Sequence, residues 1–108
     1  MRVLFDQGTP AAIADFLSGH TARTTKQEGR EILSNGDLLK AAEEAGFEVL
    51  LTTDNSLAYQ QNLKMRKIAI VVLDRNRWRM VQRMIRKIVA AVNEAAPGSY
   101  TLIEIPVR

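Results

Sequence analysis

The run Ile68-Ala69-Ile70-Val71-Val72-Leu73 is apolar throughout, with no alternation of apolar and polar residues. A strand facing water on one side would alternate, so this run predicts a strand covered on both faces, as in the parallel sheets of α/β proteins. Two shorter runs precede it, Val3-Leu4-Phe5 and Val49-Leu50-Leu51-Thr52-Thr53. All three stop at an aspartate: Asp6, Asp54 and Asp74. If the runs are neighbouring parallel strands, their carboxylates share the sheet edge where open α/β sheets hold ligands.

The segments between these runs read as helices. Thr9-Pro10 offers an N-cap followed by proline at the first helical position, and the helix extends to about Leu17, with Gly19 closing it. Residues 20–25 are rich in threonine and predict a weaker strand, followed by a polar loop through Gly29. Ser34-Asn35-Gly36-Asp37 opens a second helix over 38–45, with Leu38, Leu39, Ala42 and Ala45 as its apolar stripe and Gly46 as its stop. Residues 47–53 form the next strand and 57–63 a short helix. The longest amphipathic signal spans 78–95, with Val81, Met84, Ile85, Ile88 and Val92 on one side. Pro97-Gly98 breaks it, and residues 100–107 predict an edge strand with Pro106 at its end. Strands alternating with helices imply a mainly parallel, three-layer α/β/α sandwich, and 108 residues are enough for a single domain, 1–108.

Without cysteine, disulfides and thiolate metal sites are excluded. No run approaches membrane-spanning length and the first residues carry no apolar leader, so the expected location is the cytoplasm with no membrane partner. The net charge of +3 conceals an asymmetry: residues 1–63 hold five basic and nine acidic residues, and residues 64–108 hold ten basic and three acidic. Between Lys64 and Lys87 only Asp74 opposes nine cations. This is either the footprint of a polyanion or a solvated face whose arginines pair with acids elsewhere.

Asp6 and Asp54 are the leading site candidates. Asp37 closes a Ser34-x-x-Asp37 capping pattern and would complement the helix dipole, which does not stop it from facing a cleft. Asp74, followed by Arg75-Asn76-Arg77, reads as a surface ion pair, and the lone His20 as structural. Trp78 and Tyr59 could stack on bases, although a Trp leading an amphipathic helix more often packs in a core. Phosphate-binding glycine loops are missing, and one histidine without cysteine builds neither a zinc site nor a Ser-His-Asp triad. Hard oxygen donors remain, which suit Mg²⁺ or Mn²⁺ and metal-assisted hydrolysis at phosphorus.

Taken in order, Leu4-Phe5-Asp6-Gln7-Gly8-Thr9-Pro10, Gly19-His20-Thr21, Ser34-Asn35-Gly36-Asp37-Leu38-Leu39, Gly46-Phe47 and Leu51-Thr52-Thr53-Asp54 resemble an uncharacterised bacterial PIN-like family. Its members begin with Leu-x-Asp-x-x-x-Pro and carry Thr-x-Asp after the middle strand; the likeness covers residues 1 to about 73. The resemblance implies a PIN-like, Rossmann-type sandwich related to toxin ribonucleases of toxin-antitoxin pairs. By position it implies that Asp6, Asp54 and Asp37 (or Asn35, by a small alignment shift) hold Mg²⁺ or Mn²⁺. Asn55 or Ser56 would orient the attacking water, and Arg75, Arg79, Arg83 and Arg86 would hold RNA phosphates. Expected partners are RNA and an antitoxin protein, with a homodimer left open. Ser56 stands where relatives often have an acid, and Gln7 where they often have Glu, which leaves three acids instead of four. The alternative is a non-catalytic PIN-like module that binds RNA or protein. A receiver-like phosphoacceptor would need an acid pair after the first strand and a late lysine, and Gln7 and Ile103-Glu104-Ile105-Pro106 supply neither.

Overall fold

All three apolar runs become strands. The computed structural model describes residues 1–29, 35–54 and 66–107. Strands β1 (Arg2–Phe5), β2 (Thr21–Thr24), β3 (Val49–Thr52), β4 (Ala69–Leu73) and β5 (Tyr100–Ile103) make one sheet in the order β2-β1-β3-β4-β5. Every pairing is parallel. The two central strands β3 and β4 are buried at every position, as the unbroken apolar run requires.

Alternate residues of each strand feed two separate cores. On the first face Val3, Phe5, Leu51, Val71 and Leu73 pack with Ile13, Val81, Ile88 and Val92. On the second, Leu4, Leu50, Ile70 and Val72 pack with Leu38, Leu39 and Ala42 of helix α1 (Asn35–Glu44). The protein is thus a compact α/β molecule with a five-stranded, all-parallel sheet whose two faces both carry helices. Among the described residues no helix is long and apolar enough to cross a membrane.

The first face holds two differences from expectation. The helix predicted after Thr9-Pro10 is a 3-10 helix, Ala11–Phe16, and Thr9 does not cap it. Pro10 takes the cap position, and the Thr9 hydroxyl instead donates across the edge to the Leu51 carbonyl at 3.1 Å. The single helix predicted over 78–95 is three pieces: α2 (Trp78–Val81), a 3-10 turn (Gln82–Met84) and α3 (Ile85–Asn93). Both hydrogen-bond spacings keep Val81, Ile88 and Val92 buried, so the apolar period could not tell them apart.

The β1-to-β2 and β4-to-β5 connections both run over this first face while stepping across the sheet in opposite directions. They are therefore of opposite hand, a departure from the near-uniform handedness of parallel crossovers. The result sets α3 beside the first 3-10 helix. There His20 accepts from the Met1 amino group at Nδ1 (3.2 Å) and meets Asn93 Oδ1 with Nε2 (2.6 Å), the structural role expected of it. Nearby, Trp78 is half-buried against the core and tilted on Phe16, with ring centroids 6.1 Å apart. The helix expected over 57–63, with Tyr59, lies outside the described residues, as does Ser34 of the capping pattern.

Candidate functional site

The chain leaves β1 for β2 on one side and returns past it to β3 on the other, so the strand order reverses between β1 and β3. Loops diverge at such a switch point, and the crevice at the carboxyl ends of its strands is where open sheets bind ligands. Asp6 directly follows β1, and Asp54 stands two residues beyond β3. The expected shared edge is present, and both aspartates are half-buried there.

One hydroxyl joins them. Thr52, fully buried at the end of β3, donates from Oγ1 to Asp6 Oδ2 at 2.8 Å and accepts the Asp54 backbone N–H at 3.1 Å. The other Asp6 oxygen, Oδ1, accepts the Gln7 N–H at 2.8 Å. Asp6 is also held by its own backbone, whose N–H extends the β1–β3 ladder to the Leu51 carbonyl at 2.9 Å. Gly8 turns the following loop with φ +89°, and a Cβ there would stand 3.5 Å from Thr53 Oγ1 and 4.0 Å from Asn76 Nδ2. The loops after β1, β3 and β4 therefore meet at one place.

Asp37 lies exposed in the first turn of α1. Because α1 leads from the β2 end back to the β3 start, its first turn is toward the carboxyl edge, on the face that Leu4 and Leu50 share. Among the described residues, however, no three of His, Asp and Glu gather closely enough to hold a metal ion. Asp6 and Asp54 are tied together through Thr52, and Asp37 is not gathered with them into such a group. Asn35 begins α1, and Asn55 and Ser56 lie outside the described residues.

Asp74 does not form the ion pair expected with its neighbouring arginines. Its Oδ1 accepts the Ile105 N–H at 2.7 Å, which fastens the chain beyond β5 to the end of β4. The cations of this segment, Arg75, Arg77, Arg79, Arg83, Arg86 and Lys87, are exposed. The salt bridges among the described residues are Arg23–Glu28 and Arg66–Glu43, so no described acid pairs with this basic segment. Arg75, Asn76 and Arg77 line a surface hollow directly beyond β4, adjoining the Gly8 loop through Asn76.

Thr52, Gly8 and Asn76 are the residues that motif reading passed over. The sequence signal for Thr52 was the Thr-x-Asp pattern that it opens, and the register gives its reason: Phe5 pairs with Leu51, so Asp6 comes level with Thr52 on the neighbouring strand. No known family model, curated protein or solved structure matches this chain significantly.

Proposed function

We propose that the protein is a Mg²⁺- or Mn²⁺-dependent ribonuclease with a PIN-like architecture, the toxin-like member of a toxin-antitoxin pair, acting in the cytoplasm. The observation that carries this reading is the Asp6–Thr52–Asp54 linkage at the β1/β3 switch point, beside a run of exposed arginines that no described acid pairs with.

The donor chemistry fits a hard divalent ion. Each Asp6 oxygen receives one hydrogen bond and keeps lone-pair capacity for a cation. Magnesium commonly keeps several waters and takes one or two protein carboxylates together with substrate phosphate oxygens, so a small acid set suffices. Asp6 and Asp54 would hold the ion, with Asp37 joining directly or through water. When bound, such an ion neutralises charge on the scissile phosphate and activates water.

The chain's own residues would do the rest. Thr52, by donating to Oδ2, holds the Asp6 carboxylate in place at the crevice. Asn55 or Ser56, next along the chain, would orient the attacking water. Arg75 at the edge and Arg79, Arg83 and Arg86 along α2 and α3 would bind phosphates without reading sequence. A labelled RNA incubated with and without Mn²⁺ tests this: cleavage should require metal and disappear in Asp6→Asn and Asp54→Asn. Metal-independent or undiminished cleavage would sink it. The second reading, a non-catalytic PIN-like module that binds RNA or protein, draws on Ser56 replacing an acid; it predicts RNA retention by wild type with no cleavage at any metal concentration.

A further inference from the structure

The sheet has two edges, and they are finished differently. At the β2 edge the chain folds back on itself: the Thr24 N–H donates to Gln27 Oε1, Thr24 accepts from the Gln27 and Glu28 N–H groups, and Arg23 pairs with Glu28 at 2.9 Å. Among the described residues the β5 edge has no such device. Ile70 N–H bonds to the Ser99 carbonyl and Asp74 N–H to the Ile103 carbonyl, so the odd-numbered residues of β5 turn their backbone groups inward. Leu102 consequently turns its N–H and carbonyl outward, and among the described residues no strand lies beyond β5. The residue is 45% exposed. Outward backbone groups such as those of Leu102, in a strand without lysine or proline, are a template for another strand.

What flanks the edge is self-complementary. A groove between α3 and β5 is lined by Lys87, Ala90, Ala91 and Glu94 together with Leu102. Lys87 and Glu94 are seven residues apart, hence on the same side of the helix, with the two small alanines midway between them. Helix α3 runs opposite to β5: its end leads through Ala96 and Ser99 into the strand, and Lys87 stands by Glu104 at the strand's far end. The helix midpoint therefore lies level with Leu102. One two-fold axis, perpendicular to the sheet at Leu102, would set Leu102 against its copy and place each Lys87 opposite the other copy's Glu94.

We propose that a second copy of this chain docks here, with β5 pairing antiparallel to its counterpart across Leu102, the two sheets becoming continuous, and Lys87 of each copy facing Glu94 of the other. This is the isologous arrangement that closes a dimer and leaves no free edge for further growth on that side. The core side of α3 (Ile88, Val92) takes no part; Arg83 and Arg86 border the Lys87–Glu94 side one turn away, but the inference draws on no step of the ribonuclease reading.

Sedimentation equilibrium across a concentration series tests it. Wild type should reach twice the chain mass of 12.1 kDa. Leu102→Lys, which sets two like charges at the axis, should remain monomeric. Lys87→Glu and Glu94→Lys should each weaken association about tenfold, because symmetry repeats the repulsion twice. The double variant Lys87→Glu/Glu94→Lys should associate within about twofold of wild type, a restoration that only contact between copies explains, since the two positions are two turns apart within one chain. A wild type that stays monomeric at submillimolar concentration overturns the proposal and leaves the edge to a different protein. A double variant no better than the singles overturns the assigned pairing. Should Leu102→Lys fail to fold by circular dichroism, the charge-reversal series decides alone.

Discussion

Replacing Thr52 by valine removes one oxygen and keeps the side chain's shape. The loss would strip Asp6 Oδ2 of its donor and the Asp54 N–H of its acceptor at a fully buried position. Leaving one buried polar group unmatched costs about 1–3 kcal/mol, and because Asp6 and Asp54 are only half-buried water can serve part of the loss, so Thr52→Val should lower the urea-unfolding free energy by about 1–3 kcal/mol in all and relax the loop that presents Asp54. Thr52→Ser keeps the hydroxyl and should recover most of the loss; equal effects from both would show that packing, not the linkage, is what Thr52 supplies. Glu43 makes the pH-dependent counterpart. Burial pushes its carboxyl up, but the Lys67 N–H and the Arg66 guanidinium, both at 2.8 Å, prevail and hold it below the ordinary 4.5. A carboxyl depressed in the folded state stabilises above its unfolded pKa and loses that contribution as pH falls through the folded one. The stability gap between wild type and Glu43→Gln should therefore be full near neutral pH and close progressively as pH falls below 4.5, which urea midpoints across an acid series would read. A gap that does not change with pH would refute the linkage.

At the scale of elements, the strands were legible because burial on two faces forces a pattern that nothing else in a short chain produces. The runs at β1, β3 and β4, and the aspartates that end them, follow from that constraint alone. Less legible were features decided by contacts distant in sequence. Thr9 looks like a cap until β3 offers the Leu51 carbonyl, and the helix from Trp78 looks continuous because its buried face is. Asp74 looked like an ion-pair partner because Arg75 and Arg77 adjoin it; the Ile105 N–H, thirty-one residues away, outcompetes them. Arg79, Arg83 and Arg86 are spread over the 3-10 turn and the helices on either side of it, and all three are exposed. If this row follows a phosphate backbone, RNA affinity should fall steeply with salt, and each lost single-strand phosphate contact should flatten that slope by about 0.7. Filter binding of the triple Arg→Ala protein measures it; a folded triple variant with unchanged affinity and slope would make the row a solvated face.

For the whole molecule, the sheet order brings Asp6 and Asp54 to one crevice and leaves the basic segment on the neighbouring helices, a division of labour that a bound cation would complete. A ligand that binds only the folded state stabilises it by RT ln(1 + [L]/Kd), about 1.4 kcal/mol when free metal is tenfold above Kd. For a domain of this size each 1 kcal/mol moves the melting temperature by about 4–8 °C. Wild type should therefore melt about 6–11 °C higher in Mn²⁺ once the metal exceeds its Kd by that factor, and a plot of the shift against metal should follow the logarithm. Asp6→Asn and Asp54→Asn should each lose most of the shift, whereas Asp74→Asn should keep it, because Asp74 serves the Ile105 N–H and not the β1/β3 crevice. The Asp74 variant also guards against a false positive: a shift that all three substitutions diminish alike would reflect general screening of carboxylates along the edge. No shift at millimolar Mn²⁺ would remove the metal from the crevice, and with it the catalytic reading, while leaving the arginine row and the β5 edge to be judged on their own measurements.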